Sequence, residues 1–338
     1  MKKRILSGMR PTGPLHIGHL AGALKNWVTL QDEHECYFMI ADWHALMSEY
    51  EDPRLIKKYT FDMMLDWLSC GIDPDKNVLF VQSHVPAHLE LAMIFSLFVP
   101  LGRLERNPTY KEQLREIKGR NLTTYAFLGY PVLQSADISA YKANLVPVGA
   151  DQLPHLELTR EILRRFNSLY GKKIFPEPEA LLTGTPKLLG TDNKKMSKSY
   201  GNFIAINENP DNIRKKVQKM ITDPKRIRLA DKGHPSKCNV FSYYKVFAGD
   251  ETVKEAEQWC KNALRGCTEC KKKMAGILIE YLSPIREKRK YLEEKMSERV
   301  VEPWAACFEK ARAAAEATVS EVKDILHLAP VPRPPYGE

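Results

Sequence analysis

A chain of 338 residues, 43% hydrophobic and 28% charged, can bury a sizeable core and exceeds the common single-domain length, which predicts two domains. No window of about twenty residues is free of charge, and the apolar run before Arg10 is too short for a secretory leader, so a cytoplasmic protein without a membrane span is expected. The net charge of +9 favours polyanionic partners, and residues 260–300, with eleven Lys and Arg against six Glu, carry more than half of that excess.

In chain order, "RILSG", "CYFMIADWHAL" and "NVLFVQS" read as buried strands running into turns. Between them, "HLAGALKNWVTLQDE" and "DPRLIKKYTFDMMLDWLSCG" carry helical spacing, the second ending at Gly71. Alternation of strand and helix predicts parallel strands with crossover helices, an α/β Rossmann-like doubly wound sheet. Residues 100–135 read as a helical insertion. After it "LVPVGADQ" returns as a strand and "PHLELTREILRRFNSLYG" as a helix stopped by Gly171. From about residue 206 the pattern is helical, with "NPDNIRKKVQKMITDP", "DETVKEAEQWCKNAL", "KKKMAGILIEYLSPIREKRKYLEEKM" and "PWAACFEKARAAAEATVSEVKDIL" as the expected helices. The expected organisation is a catalytic domain over residues 1–205, an all-helical domain over 206–328 and a loose proline-rich tail over 329–338.

Two stretches carry chemistry. "GPLHIGHL", Gly13 to Leu20, follows the first strand and opens a helix. Main-chain N–H groups at a helix start favour phosphate, Gly18 admits a close ligand, and His16 and His19 share one helical turn, which together predict a nucleotide site. "KKMSKS", Lys194 to Ser199, is a polar loop whose Lys195 and Lys198 can bring two ammonium groups to a polyphosphate and offset the charge of a departing pyrophosphate. Taken singly, such histidines are often only helix caps and such a loop only solvated.

In this order, and separated by about one doubly wound domain, the two stretches resemble the HIGH and KMSKS signatures of class I aminoacyl-tRNA synthetases. HIGH alone would also fit small-molecule adenylyltransferases such as pantothenate synthetase. Within class I, "YPVLQSADISAYKANLVPVGADQLPHLELTR", with "SGMRPTGPLHIGH", "ADWHAL", "RLERNPTYKE" and "KKMSKSYGN" in order, is similar to tryptophanyl-tRNA synthetases over nearly the whole chain.

The resemblance implies ATP and Mg²⁺ as cosubstrates, tryptophan and its tRNA as the other partners, a homodimer and a helical anticodon-binding domain. It places Asp137 on the indole N–H, with Tyr130, Gln134, Val146, Val148 and Gln152 shaping the amino-acid pocket. It places ATP on Arg10, Pro11, Thr12, Gly18, His19, Gly149, Ala150, Asp151 and Leu188, and on Lys195, Met196, Ser197, Lys198 and Ser199. Lys111 is a further phosphate candidate, while Gln113 stands where the family has a lysine. Gln134 departs from many bacterial members, which carry methionine there. Archaeal-type tyrosyl enzymes place Gln and Asp at the same spacing, so tyrosine–tRNA ligase stays open as an alternative, as does a non-catalytic RNA-binding paralogue.

Seven cysteines in a reducing compartment are expected to stay reduced. Cys238, Cys260, Cys267 and Cys270 form a C-x21-C-x6-C-x2-C set that reads as a metal site for zinc or an iron–sulfur cluster. Some tryptophanyl enzymes similar to this one around "CTECKK" carry a [4Fe-4S] cluster at nearly this spacing, so the resemblance implies the cluster, with zinc the less expected occupant. Its distance in sequence from the HIGH and KMSKS motifs implies a role apart from activation. Cys36, Cys70 and Cys307 fit no ligand spacing and are expected to be buried thiols.

Overall fold

The computed structural model describes residues 2–116, 120–182, 188–196, 200–295 and 301–328. Five strands, β1 (Arg4–Met9), β2 (Glu35–Ile40), β3 (Val78–Val81), β4 (Leu145–Val148) and β5 (Glu179–Leu182), form one parallel sheet in the order β3-β2-β1-β4-β5. Alternate side chains of a strand point to opposite faces, and the apolar residues divide accordingly. Ile5, Phe38, Ile40, Leu79 and Leu145 pack on one face with Trp27, Met63 and Trp67 from the helices Lys25–Glu33 and Ile56–Ser69. Leu6, Tyr37, Met39, Phe80 and Val146 pack on the other with the helices Ala87–Ser96, Tyr125–Ala140 and Leu153–Tyr170. The expected doubly wound sheet is therefore present.

One local expectation changes, and two elements had not been read in the sequence. The strand of "CYFMIADWHAL" stops at Ile40 and Asp42–Glu49 is a helix, at whose start Asp42 Oδ1 accepts from the amides of Trp43 (3.1 Å) and of Ser83 (2.9 Å) in the turn after β3. The strand β5 carries no apolar alternation in "EALL" and lies at the sheet edge with its ends exposed. A helix at Asn239–Phe247 also went unread in the sequence.

The helical second half packs on the same two cores. Met274, Leu278 and Leu282 of the long helix Cys267–Lys295 join the first face, and Ala311, Ala315 and Val322 of Val301–Ile325 join the second. Arg289 pins the long helix to Ile56–Ser69. Its guanidinium donates to the Asp62 carbonyl (2.9 Å) and carboxylate (2.8 Å) and to the Asp66 carboxylate. Arg289 and Asp66 are both buried, so removing the cation leaves an uncompensated charge. Arg289→Ala is expected to lower unfolding free energy by about 3–5 kcal/mol in urea titration, and the paired change Arg289→Met with Asp66→Leu to recover most of it. No described helix is long and apolar enough to cross a membrane.

Candidate active site

The chain places β1, β2 and β3 with helices on one face, then crosses to the other face and sets β4 beside β1. Strand order reverses there, and a crevice opens beyond the carboxyl ends of β1 and β4. A cavity of about 350 Å³ fills it. Gly8 brings main chain to its wall, since a β-carbon at that position would lie 2.6 Å from the Met39 carbonyl oxygen. All six residues expected around an amino acid, Tyr130, Gln134, Asp137, Val146, Val148 and Gln152, line this cavity, together with Arg10 and Gly149 from the expected ATP set.

Asp137, only 1% exposed, stands on the helix Tyr125–Ala140. His44 Nε2 lies 2.7 Å from Oδ2; Gln82 donates to Oδ1 at 2.7 Å, and His88 Nδ1 is 2.7 Å from the same oxygen. Burial by itself would raise the carboxyl, but the charge and hydrogen bond of His44, followed by His88, outweigh it and hold Asp137 at about 2. His88 Nε2 in turn meets the Tyr141 hydroxyl at 2.8 Å. A carboxylate offers about four acceptor positions and three protein groups occupy this one, leaving room for one more donor.

A second chain of hydrogen bonds fixes the opposite wall. Tyr130 Oη lies 2.8 Å from His155 Nε2, His155 Nδ1 lies 3.0 Å from Gln152 Oε1, and Gln152 Nε2 donates to Asp151 at 2.9 Å. Burial first, then His44, lowers His155 to about 4, so its ring is neutral. With Gln152 Oε1 as acceptor, Nδ1 carries the proton and Nε2 accepts from Tyr130. A histidine depressed on folding adds stability that is present above its unfolded value near 6.5 and is lost as pH falls through about 4. His155→Gln is therefore expected to flatten the fall in stability between pH 6.5 and 4, read from urea unfolding at several pH values. An unchanged slope would show that His155 is not held neutral.

Arg10 is open to the cavity at the end of β1, yet walled by protein, and this burial lowers its pKa against weaker opposing effects of Tyr130 and Glu49. Beyond it the chain turns through Pro11 and Thr12, the Thr12 amide donating to Arg10 O at 2.9 Å. His16 Nδ1 accepts from the Gly18 amide at 3.2 Å, and His19 Nδ1 accepts from the His16 amide at 3.1 Å. With these amides donating to Nδ1, each ring carries its proton on Nε2 as a donor, and the two rings lie tilted at 34° with centroids 3.7 Å apart.

The two motifs meet beside these rings. Ile17 N donates to Ile204 O at 3.0 Å, Ile206 N donates to Leu15 O at 3.0 Å, and a β-carbon on Gly18 would come 3.3 Å from the Met196 sulfur. Leu188 and Met196 are buried in the core here and do not line the cavity. Lys195 pairs with Leu189 in an antiparallel bridge. Ala150 and Asp151 lie exposed at the end of β4, and Gln113, unlike Lys111, lines the cavity. Ser197, Lys198 and Ser199 fall outside the described residues.

Sequence reasoning missed His44, Gln82, His88, Tyr141 and His155. The available signal was positional: "ADWHAL" and "VQSHVPAH" directly follow β2 and β3, where a doubly wound sheet presents its ligand groups.

The four spaced cysteines, Cys238, Cys260, Cys267 and Cys270, are half-buried and lie in one patch, outside any disulfide. Burial raises Cys238, Cys260 and Cys270, and neighbouring thiols add to the rise in each. Main-chain N–H groups of Phe241 and Val240 act in the opposite sense on Cys238. Glycine at 233 leaves room for the Cys260 sulfur, and Arg226 Nη1 approaches Cys267 Sγ at 3.9 Å. Among the described residues no three Cys, His, Asp or Glu form a group that could hold a metal ion, so the expected metal site is not closed around one centre. Protonated thiols have no attraction that would draw them together. Cys36 and Cys307 are buried, whereas Cys70 is partly exposed.

A model of the family described as tRNA synthetases class I (W and Y) matches residues 1–283. The chain is 49% identical to a tryptophan–tRNA ligase of Thermotoga maritima, over 96% of this chain and 99% of that protein. It is 44% identical to a tryptophan–tRNA ligase of Aquifex aeolicus, over 96% of this chain and 100% of that protein. Among solved structures, tryptophanyl-tRNA synthetase from Campylobacter jejuni, complexed with ADP and tryptophan, superposes with a TM-score of 0.87 at 34% identity, over 96% of this chain and 100% of that one. Cavity, paired motifs and sequence relationship agree: the chain belongs to the class I tRNA synthetases of the tryptophan and tyrosine family.

Proposed function

We propose that this chain is a tryptophan–tRNA ligase, converting L-tryptophan and MgATP to tryptophanyl-adenylate and pyrophosphate and passing the acyl group to the terminal ribose of tRNA(Trp). The observation that carries this reading is the apolar slot ending on Asp137, a carboxylate held anionic with one acceptor position left, the complement of a single indole N–H. Val146 and Val148 supply flat apolar walls, and Tyr130 and Gln152 are each fixed by His155. The tryptophan carboxylate then attacks the α-phosphorus, and the bond to the pyrophosphate breaks. His16 and His19 donate from Nε2 to phosphate oxygens, while Lys195 and Lys198 offset the charge that accumulates on the leaving pyrophosphate. Arg10 and Gly149 flank the join between the two substrates. No side chain becomes covalent, so placement and charge compensation supply the acceleration. Charging of tRNA(Trp) transcript with labelled tryptophan, with stoichiometric AMP, tests the whole reaction; charging with tyrosine instead would overturn it.

The helical residues 206–328 are read as the anticodon-binding part, supported by the basic excess of residues 260–300. Cys238, Cys260, Cys267 and Cys270 are read as ligands of a [4Fe-4S] cluster, supported by their spacing and by the mutual influence of their thiols. A tetrahedral zinc would need all four sulfurs about 2.3 Å from one point, a tighter gathering than the cluster requires. The cluster would add a covalent tie to segments already joined by the hydrogen bonds of Gly233 N to Cys260 O and of Tyr244 to Cys270 O. Anaerobically purified protein is expected to hold about four iron and four sulfide per chain, and stoichiometric zinc without iron would refute this. A homodimer is supported by an apolar groove lined by Met93, Leu101 and Tyr125, each more than half exposed.

A further inference from the structure

The loop that carries Lys194 and Lys195 is gripped from outside the catalytic sheet, by the helix Asn239–Phe247. Asn239 Nδ2 donates to Gly190 O at 2.7 Å, and one turn later Tyr243 Oη donates to Leu189 O at 2.7 Å. Positions i and i+4 share a helix face, so the two side chains form one clamp on consecutive carbonyls. Both residues are buried, and neither carbonyl's partner can be replaced freely by water.

The clamped residues form the near arm of a tight turn whose far arm leads into the lysines. Gly190 N donates to Lys194 O at 2.7 Å, Leu189 pairs with Lys195, and Asn202 Nδ2 holds Lys195 O at 3.1 Å from the other side. Any side chain at 190 would collide with Asn202, so the turn fits closely between Asn202 and the helix. The same helix begins at Cys238, its N-cap residue, and Tyr244 Oη donates to Cys270 O at 2.8 Å. The side chains of Asn239 and Tyr243 thus bridge segments that lie some fifty residues apart in sequence.

We propose that Asn239 and Tyr243 are positioning residues for the adenylation loop, and that their helix ties the placement of that loop to the four-cysteine patch. The helix is anchored at both sides: to the patch through Cys238 and Tyr244, to the loop through Asn239 and Tyr243. Displacing its first turn moves the Asn239 amide away from Gly190. Loss of order at the cysteines therefore reaches the activation step, in place of the separate role that their distance in sequence implies. This rests on reading Lys195 as part of the adenylation loop.

Tyr243→Phe removes only the donor, and Asn239→Asp keeps shape and suits the first turn of a helix while removing the donor to Gly190. Tyr243→Phe is expected to lower kcat for tryptophan-dependent pyrophosphate exchange about tenfold, the scale of one hydrogen bond expressed in the barrier, and Asn239→Asp, which also sets a buried carboxylate against the Gly190 carbonyl, by more, with tryptophan Kd measured without ATP unchanged within about twofold in both. Amide hydrogen exchange over residues 188–196 is expected to speed up in both variants and in Cys238→Ser, with Tyr125–Ala140 unaffected. Unchanged protection of residues 188–196 in Tyr243→Phe and Asn239→Asp would overturn the clamp. Faster exchange confined to residues 233–270 in Cys238→Ser would overturn its tie to the cysteines. Wild-type protein inactive with tryptophan would instead sink the ligase reading, while hydrogen exchange still decides the clamp.

Discussion

Asp137→Ala is expected to weaken tryptophan binding by at least about a hundredfold, with ATP affinity measured alone changed little. The side chain is the sole carboxylate at the floor of the slot among the cavity residues. On the proposed reading its loss removes the acceptor for the indole N–H, a charge-assisted hydrogen bond of about 1.5–3 kcal/mol. It also leaves His44, Gln82 and His88 pointing at an empty place, so the walls that orient the ring lose their common anchor. Asp137→Asn is expected to recover little: an amide has one acceptor oxygen, and its NH₂ faces groups that are themselves donors. Calorimetric titration with tryptophan checks both variants. An affinity within about threefold of wild type would mean that the indole lies elsewhere. His88→Ala is the informative companion, because His88 touches Asp137 without lining the cavity; a loss there shows that the orientation of the carboxylate matters as well as its charge.

Lys195→Ala is expected to slow adenylate formation by about 10²–10³, at unchanged tryptophan affinity. The ammonium group is needed most when the bond to pyrophosphate has lengthened and negative charge has gathered on the leaving oxygens. A contact that strengthens only at that stage lowers the barrier without tightening the ground state. The base of the loop is built from Leu189, Gly190 and Asn202, which together place the Lys195 backbone. Lys195→Arg is expected to recover part of the rate, since the charge persists with a different shape. Pre-steady-state quench measurements separate the two readings. A variant that loses tryptophan affinity in proportion to rate would place Lys195 in ground-state binding.

Much of this architecture was legible in the sequence because strong periodicity and two motifs coincide with structural joints. "RILSG" and "LVPV" are the two strands that flank the switch point, so residues next to them, Gly8, Arg10, Val148 and Gly149, had to meet at one crevice. The helix of Tyr130, Gln134 and Asp137 carries its three residues at spacings of four and three, one face of a helix, and that face is a cavity wall. His44, Gln82 and His88 escaped notice because they come from separate elements after β2 and β3, the histidines from the helices Asp42–Glu49 and Ala87–Ser96 and Gln82 from the residues directly after β3. Nothing local marks a histidine as a partner of an aspartate 49 or 93 residues away. The strand β5 was invisible for a different reason: an edge strand needs only backbone pairing, and "EALL" has no pattern of burial to betray it.

The cysteines show the limit of spacing as an argument. A ligand pattern gives the number and order of thiols, while the position of Cys238 at the start of a helix that holds Gly190 and Leu189 is a property of the tertiary fold. Likewise Arg289 sits in the basic run that reads as favouring polyanionic partners, yet it is buried against Asp62 and Asp66. Charge in a helical stretch becomes structural wherever a second helix supplies the counter-charge.

Exchange of labelled pyrophosphate into ATP, run with each of the twenty amino acids in turn, tests the central claim most directly. Tryptophan alone is expected to support rapid exchange, with tyrosine slower by several orders of magnitude and the rest at background, and Asp137→Ala abolishing the tryptophan signal. Exchange driven by tyrosine at a comparable rate, or by no amino acid, would contradict the account.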